Sequence, residues 1–378
     1  LAAAAAAAGG APAPTQEPQD FVGRQRSLQS LNPEISVNAD VYAQIAGDDP
    51  DADNFIPREF EISIISALDP YSRAGIYLSQ ETPGAEIEPF AGEEGEEGEE
   101  EGGGFGVEEG YVEWVGLPGG FGVKFGRFYQ RFGTLNRWHA HALPFQSRSL
   151  PHLAFIGEAA LGQTGVSVSW LAPFGGGGSG TYEATVEVTR NSNESLFGES
   201  TGPSILGHVN AFWTLGRATD FDLALSWIGG DFMNETESFT RNLFTAEVAL
   251  NWSPPERSRG TGVSVRGGYL LLSGLNAPEV APPPGTEAPD DASGFWSMAE
   301  VKLSNAWLMG ARFDQVQNPA DPDVSQWLVS PTLTWWQSEF VRLRAEYDFL
   351  SGLEGGDGSG RFLLRATFAM GPHKHSTY

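Results

Sequence analysis

The chain lacks cysteine, so no disulfide framework holds its fold together. Basic residues are few: 22 lysines and arginines against 49 aspartates and glutamates give a formal net charge of −27. That balance excludes a nucleic-acid-binding protein, which needs a basic surface. Long apolar runs are also missing, and no stretch approaches the roughly 20 apolar residues of a membrane helix. What the sequence has instead is abundant glycine, 12% aromatic residues and a repeated alternation of apolar and polar residues.

The alternation has a period of two and recurs between about Ile35 and Phe368. In the run 341–349, for example, arginine, glutamate and aspartate alternate with apolar residues. Successive side chains of a β-strand point to opposite faces, so each run predicts a strand with one apolar and one ionised face. A soluble sandwich turns its apolar face inward, whereas a transmembrane barrel turns it outward to lipid. The sequence predicts about sixteen antiparallel strands, at 34–46, 58–68, 72–81, 107–117, 121–130, 164–173, 181–190, 205–216, 220–231, 241–253, 261–273, 295–305, 307–317, 325–337, 339–350 and 361–371.

The connections between these predicted strands alternate between short turns and long loops. This rhythm is typical of an all-β outer-membrane barrel, with short periplasmic turns and long extracellular loops. An even strand number then predicts that both termini are periplasmic. Tryptophans agree with a membrane setting, because they fall in the apolar phase and collect near strand ends, as in aromatic girdles. They are Trp114, Trp170, Trp213, Trp227, Trp252, Trp307 and Trp335.

The strand number, the loop rhythm and the terminal segment RFLLRATFAMGPHKHSTY resemble the sixteen-stranded porins of the Gram-negative outer membrane. In that family the last strand alternates aromatic residues and ends on one that the insertion machinery reads. Phe362, Leu364 and Phe368 keep this phase, but Gly371-Pro372 interrupts the strand before the final Tyr378. The resemblance implies passive diffusion of ions and small hydrophilic solutes, no cofactor, and commonly a trimer. Small outward residues at Ala39, Ala43 and Ala74 are compatible with close packing of subunits.

Two regions are predicted: a low-complexity segment at 1–32, expected to be disordered, and the barrel at 33–378. The third long connection, 131–163, carries more apolar residues than an exposed loop would. By resemblance to the porins it folds into the lumen and narrows the channel. Six of its basic residues are predicted to form the constriction: Arg131, Arg137, His139, His141, Arg148 and His152. Eight strand residues are predicted to line the pore: Glu113, Lys124, Glu187, Arg266, Arg312, Arg342, Arg344 and Arg365.

A basic constriction favours anions, whereas the acidic run 93–101 predicts an acidic outer mouth that favours cations. We expect the constriction to dominate, which gives a weak preference for anions. The alternative is that the loop arginines are neutralised by wall carboxylates such as Glu113 or Glu187. The pairs His139/His141 and His373/His375 each offer two metal ligands, fewer than the three or four of a zinc site, so no metal is predicted.

The sequence supports other functions less well. No G-x-S-x-G elbow or comparable serine–histidine–carboxylate constellation is recognisable, so no enzyme is predicted. A receptor or structural anchor for a surface or periplasmic partner stays open, and the acidic run 93–101 is its best support. A TonB-dependent metal-uptake receptor fits less well, because that class uses twenty-two strands with a plugged lumen.

Overall fold

The computed structural model describes residues 33–47, 53–82, 87–90, 104–173, 180–235, 237–255, 260–275, 290–353 and 357–371. The segment 1–32, the acidic run 93–101, His373, His375 and Tyr378 lie outside these residues, so the predictions made for them stay predictions. Within the described ranges, no helix combines the length and the apolar character needed to cross a membrane.

Sixteen antiparallel strands form one closed barrel, in which each strand pairs with its sequence neighbours and β1 closes the ring against β16. This confirms the predicted fold class. The strands are β1 Glu34–Ala46, β2 Asn54–Ala67, β3 Ser72–Glu81, β4 Gly106–Leu117, β5 Phe121–Tyr129, β6 Gly162–Leu171, β7 Thr181–Arg190, β8 Pro203–Leu215, β9 Thr219–Met233, β10 Ser238–Trp252, β11 Gly262–Ser273, β12 Asp291–Lys302, β13 Trp307–Gln317, β14 Ser325–Trp336, β15 Val341–Leu350 and β16 Ser359–Met370.

The two faces of the strands differ as the alternation predicts. On β7, Val186 and Val188 are 54% and 49% exposed on the outside, whereas Glu187 between them is 1% exposed on the inside. The same outward apolar phase continues around the ring, for example at Leu364 on β16 and Val209 on β8. An apolar exterior around a polar interior is the architecture of outer-membrane barrels.

Two strands, β2 and β12, begin four residues earlier than the sequence predicts, and β12 starts at Asp291 rather than at 295. The prediction started β2 at Arg58, but the strand runs from Asn54 through Pro57. The register between β1 and β2 shifts between Asp40 and Tyr42, so Pro57 lies opposite an irregularity in the ladder. Proline lacks an N–H group and is tolerated in strands at such bulges. The sequence prediction started β2 after Pro57 because a proline normally interrupts a strand, and it therefore made the strand too short.

The inside of the barrel holds the connection between β5 and β6, residues 130–161, here called the third loop. It contains a 3-10 turn at Ala140–Ala142 and helix α1 at Leu150–Ile156. A second short helix, α2, spans Glu194–Phe197 in the next long connection. Apolar residues of the third loop pack against inward apolar residues of the wall, which explains the apolar content of this loop. The cluster includes Phe132, Phe145, Leu150, Phe155, Leu196, Phe197, Leu206, Ile228, Leu243, Leu270, Trp296 and Leu328.

Candidate functional site

The third loop leaves the wall beside β7 and crosses to the opposite side of the barrel. At its start, the Arg131 guanidinium pairs with Glu183, and the Arg131 backbone N–H donates to Glu187 at 3.3 Å. A few residues later the backbone N–H of Thr134 donates to Glu247 on β10 at 2.7 Å. Arg131 is therefore held by wall carboxylates, in line with the alternative that the sequence left open.

Five arginines of the wall bind the backbone of the segment 140–147, and we call them the arginine ladder. They are Arg58, Arg312, Arg342, Arg344 and Arg365, whose guanidinium groups donate to the carbonyl oxygens of Ala140, Ser147, His141, Leu143 and Phe145 at 2.8, 2.6, 2.6, 3.2 and 3.1 Å, respectively. Each guanidinium has several donors in a fixed plane, so it can bind a loop carbonyl and a wall side chain together. The ladder fastens the loop to β2, β13, β15 and β16.

Four members of the ladder were predicted to line an open pore, and the structure instead places them beneath the loop. Arg312, Arg342, Arg344 and Arg365 are 3%, 8%, 3% and 1% exposed. Their charge is partly balanced by buried acids: Asp40 pairs with Arg365 at 2.7 Å and with Arg58 at 3.2 Å.

Wall carboxylates also bind the loop, by accepting hydrogen bonds from its backbone N–H groups. Asp314 accepts from Leu150 at 3.0 Å, at the start of α1. Glu346 accepts from Gln146 at 3.0 and 3.1 Å. Buried backbone donors need such partners, so these contacts satisfy a segment that has little secondary structure of its own.

His139 lies at the centre of an acidic pocket between the loop and β2–β4. Its Nδ1 lies 2.7 Å from Glu61 and 3.0 Å from Glu108, and its Nε2 lies 3.0 Å from Glu109. Burial by itself lowers the pKa of His139, but the surrounding carboxylates of Glu108, Glu109 and Glu61 raise that pKa well above its ordinary value. The rings of Tyr77 and Tyr129 flank the imidazole in tilted contacts, at 5.0 and 4.8 Å between centroids.

The other two predicted loop histidines are buried in different surroundings. Burial lowers the pKa of His141 to about 4, although Glu61 opposes the shift. Burial, together with the positive Arg148 and Arg312, lowers the pKa of His152 to about 3. Arg148 itself donates to the carbonyl oxygen of Trp138 at 2.9 Å. Arg148 and His152, whose Nδ1 lies 2.7 Å from the Ser149 hydroxyl, thus make contacts within the loop, whereas Nδ1 of His141 lies 3.1 Å from Glu59 on β2.

Four of the predicted basic residues keep partly exposed side chains: Lys124, Arg131, Arg137 and Arg266. Lys124 lies 3.5 Å from Glu113, which is itself 8% exposed and also pairs with Arg73. The guanidinium of Arg266 lies over the Trp138 ring at 5.4 Å. Burial and the neighbouring Arg131 lower the pKa of Arg137 to about 10.

Four ligand atoms of the acidic pocket are close enough to hold a metal ion. Glu59, Glu61, Glu108 and His139 each offer one atom, and these atoms lie within 4.8 Å of one another. From the sequence, only the two histidine pairs suggested metal ligands. The pocket has no local pattern in the sequence because its glutamates belong to β2 and β4, which only the barrel register and the third loop bring beside His139. Arg58 and Asp40 were missed for a similar reason.

No protein-family model matches the chain. An uncharacterized protein of Aquifex aeolicus is 46% identical over 92 residues, which are 24% of this chain and 19% of the relative, so the match spans about a fifth of that relative's length. Among solved structures, OprB of Pseudomonas putida is 10% identical with a TM-score of 0.63, covering 92% of this chain and 96% of its own.

Two further solved structures share the same architecture. The anion-selective porin from Comamonas acidovorans is 12% identical with a TM-score of 0.58, over 89% of this chain and 99% of its own. OmpF of Salmonella typhi, in complex with daunomycin, is 8% identical with a TM-score of 0.57, over 91% of this chain and 99% of its own. The closed ring of sixteen antiparallel strands and these likenesses together show that the chain has the fold of the outer-membrane porins.

Proposed function

We propose that this protein is an outer-membrane channel through which ions and small hydrophilic solutes diffuse passively. The observation that carries the proposal is the inversion of the barrel, with apolar side chains outside and ionised side chains inside. A sixteen-stranded barrel is too wide for wall side chains to fill, so it encloses an aqueous lumen. The third loop occupies part of that lumen and is the element that narrows it.

Selectivity in this proposal comes from the ionised groups that still meet water. Lys124, Arg131, Arg137 and Arg266 are partly exposed, and the partly exposed carboxylates beside them are Glu183 and Asp222. Glu183 pairs with Arg131, and Asp222 interacts electrostatically with both Arg137 and Arg266. Lys124 pairs with Glu113 and Arg131 with Glu183, so the remaining excess of positive charge is that of Arg137 and Arg266 over Asp222. Basic linings attract anions, so this small excess favours anions weakly. The buried arginine ladder contributes less, because its charges are engaged by the loop and by Asp40.

Single-channel recording in planar bilayers tests both parts of the proposal. We expect stepwise conductance, and a reversal potential in a salt gradient that reports a modest preference for anions. Arg266→Gln is expected to move the reversal potential toward cation preference. Arg217→Gln is the matched control, because Arg217 is exposed on the turn between β8 and β9 and is expected to leave the potential unchanged. Clear cation preference of the unmodified channel would contradict the basic lining.

We further propose a homo-oligomer, a trimer by likeness to the porins, with both termini on the periplasmic side. Ala43 and Ala74 keep the outward face of the early strands shallow, and Ala39 is 1% exposed because Phe60 and Phe368 flank it across the ladder. Mass measurement in detergent, corrected for bound detergent, is expected to give three copies, and a monomer at all concentrations would contradict this part.

A further inference from the structure

Three carboxylates and one imidazole converge inside the wall formed by β2 and β4. Glu59 and Glu61 come from β2, Glu108 from β4, and His139 from the third loop. Glu59 and Glu61 are fully buried and His139 is 2% exposed. Buried carboxylates are costly unless they are protonated, paired or bound to a metal ion, so this convergence favours a positive partner.

His139 alone does not balance the carboxylates around it, because its two ring nitrogens face three of them. Its Nε2 lies 3.0 Å from Glu109, and its Nδ1 faces oxygens of both Glu61 and Glu108, at 2.7 and 3.0 Å. One N–H cannot serve two carboxylates equally. The Oε2 atom of Glu61 is the atom 2.7 Å from Nδ1, but that contact lacks hydrogen-bond geometry, so this oxygen accepts no hydrogen bond within the described part of the chain. When Nε2 donates to Glu109, Nδ1 presents a lone pair toward two carboxylates, as a metal ligand would.

The remaining oxygens of the three glutamates are held in place. Asn38 donates to Oε1 of Glu61 at 3.1 Å, and the Tyr129 hydroxyl donates to Oε1 of Glu108. The backbone N–H of His141 donates to Glu59 at 2.6 Å. Ligating carboxylates and histidines are commonly oriented in this way by hydrogen bonds from behind, including a carboxylate on the far nitrogen of the histidine.

Charge around the pocket also favours a bound cation. The carboxylates of Glu59, Glu61, Glu108 and Glu109 each lie within 3.1 Å of the imidazole of His139 or His141. Arg58 is close by, but its guanidinium already binds Asp40 and the carbonyl oxygen of Ala140.

We propose that Glu59, Glu61, Glu108 and His139 form a site for one divalent transition-metal ion of the Zn²⁺ class, with Glu109 as the positioning residue behind His139. Three oxygens and one nitrogen suit four-coordinate Zn²⁺, whose ligands lie about 3.4 Å apart at ordinary metal–ligand distances. The present separations reach that spacing when the carboxylates move by less than about one ångström. The ion would join the third loop to β2 and β4, on the side of the barrel away from α1. This site does not depend on the proposed channel function.

Titration of the purified full-length protein in detergent with Zn²⁺, after treatment with a chelator, measures the site directly. We expect one tight equivalent per chain. Glu61→Gln and His139→Gln are expected to abolish that equivalent, and Glu109→Gln to weaken it about 10- to 100-fold. Glu247→Gln is the matched control, because Glu247 is an equally buried wall carboxylate that binds the loop elsewhere, at Thr134.

The comparison among variants separates this site from weak binding at the acidic run 93–101 or at His373 and His375, which all variants retain. If the ligand variants do not fold, the visible spectrum of Co²⁺ bound to the unmodified protein gives a second reading, and a tetrahedral spectrum is expected. The proposal is overturned if the unmodified protein binds no tight equivalent, or if Glu61→Gln binds Zn²⁺ as well as Glu247→Gln does. His139 would then be doubly protonated and would hold the carboxylates by itself.

Discussion

Single arginines carry most of the attachment of the third loop. Arg365 is an example: its one guanidinium donates to Asp40 on β1 and to the carbonyl oxygens of Phe145 and Ala140 in the loop. Sequence alternation placed this residue correctly on the inner face. It could not show that the side chain meets a loop rather than water, because that contact joins residues far apart in the chain.

Arg365→Gln is expected to loosen the loop while leaving the barrel intact. Loss of the guanidinium leaves two loop carbonyls without this donor and removes one of the two arginine partners of Asp40. Loss of one partner costs roughly 3–5 kcal/mol at buried ion pairs. Hydrogen exchange of the segment 140–147 measures the effect, and we expect faster exchange there with unchanged protection of the strands. Unchanged exchange in this segment would show that the ladder does not hold the loop; Arg217→Gln serves as the control.

His152 is expected to make the loop attachment sensitive to acid. Its pKa of about 3 in the attached loop, set by burial and by Arg148 and Arg312, lies below the ordinary 6.5. A detached loop would therefore bind a proton that the attached loop excludes. The contribution of His152 to attachment is complete above pH 6.5 and is lost progressively as the pH falls toward 3, by about 1.4 kcal/mol for each pH unit.

His152→Gln removes this titration, so its loop is expected to exchange hydrogen at a rate that depends less on pH between 6.5 and 4 than in the unmodified protein. Equal acid sensitivity of the two proteins would assign the effect to other groups.

At the scale of elements, the sequence predicted the strands well and the loop contacts poorly. Strand periodicity is local, so it survives in the sequence of each strand, as on β7 and β15. The boundary of β2 was missed because Pro57 is tolerated only through an irregular ladder with β1. The acidic pocket and the arginine ladder were missed because they depend on the path of the third loop across the barrel, which no local pattern encodes. The apolar content of the loop predicted that it folds into the lumen. In the structure, Leu150 and Phe155 of the loop pack against apolar residues of the wall.

Helix α1 rests on a glycine of the wall. A Cβ atom added at Gly294 on β12 would lie 2.7 Å from Cγ of Pro151, in the first turn of α1, and 2.9 Å from a backbone oxygen of β13. Gly294→Ala is therefore expected to displace α1 and to raise the proteolytic sensitivity of the third loop. Gly207→Ala on β8 is the matched control, since a Cβ there meets nothing within 4 Å. Equal sensitivity of the two variants would mean that α1 does not need this close approach.

At the scale of the whole molecule, the placement of charge follows from the closed ring. Many ionised groups lie inside the barrel, and the loop and wall satisfy one another there: wall arginines bind loop carbonyls, and wall carboxylates bind loop N–H groups. The outer surface instead presents valine, leucine, phenylalanine and tryptophan side chains. Such a surface is stable against hydrocarbon and prone to association in water.

The most direct measurement labels the two faces of one strand separately. The absence of cysteine allows a single nitroxide label at Val209→Cys, which is 49% exposed on the outside of β8, or at the neighbouring Asn210→Cys on the inside. In lipid vesicles we expect the label at 209 to be relaxed by oxygen, which concentrates in hydrocarbon. The label at 210 should instead be relaxed by a water-soluble nickel complex. Preference of the label at 209 for the nickel complex would show that water, and not lipid, covers the apolar face.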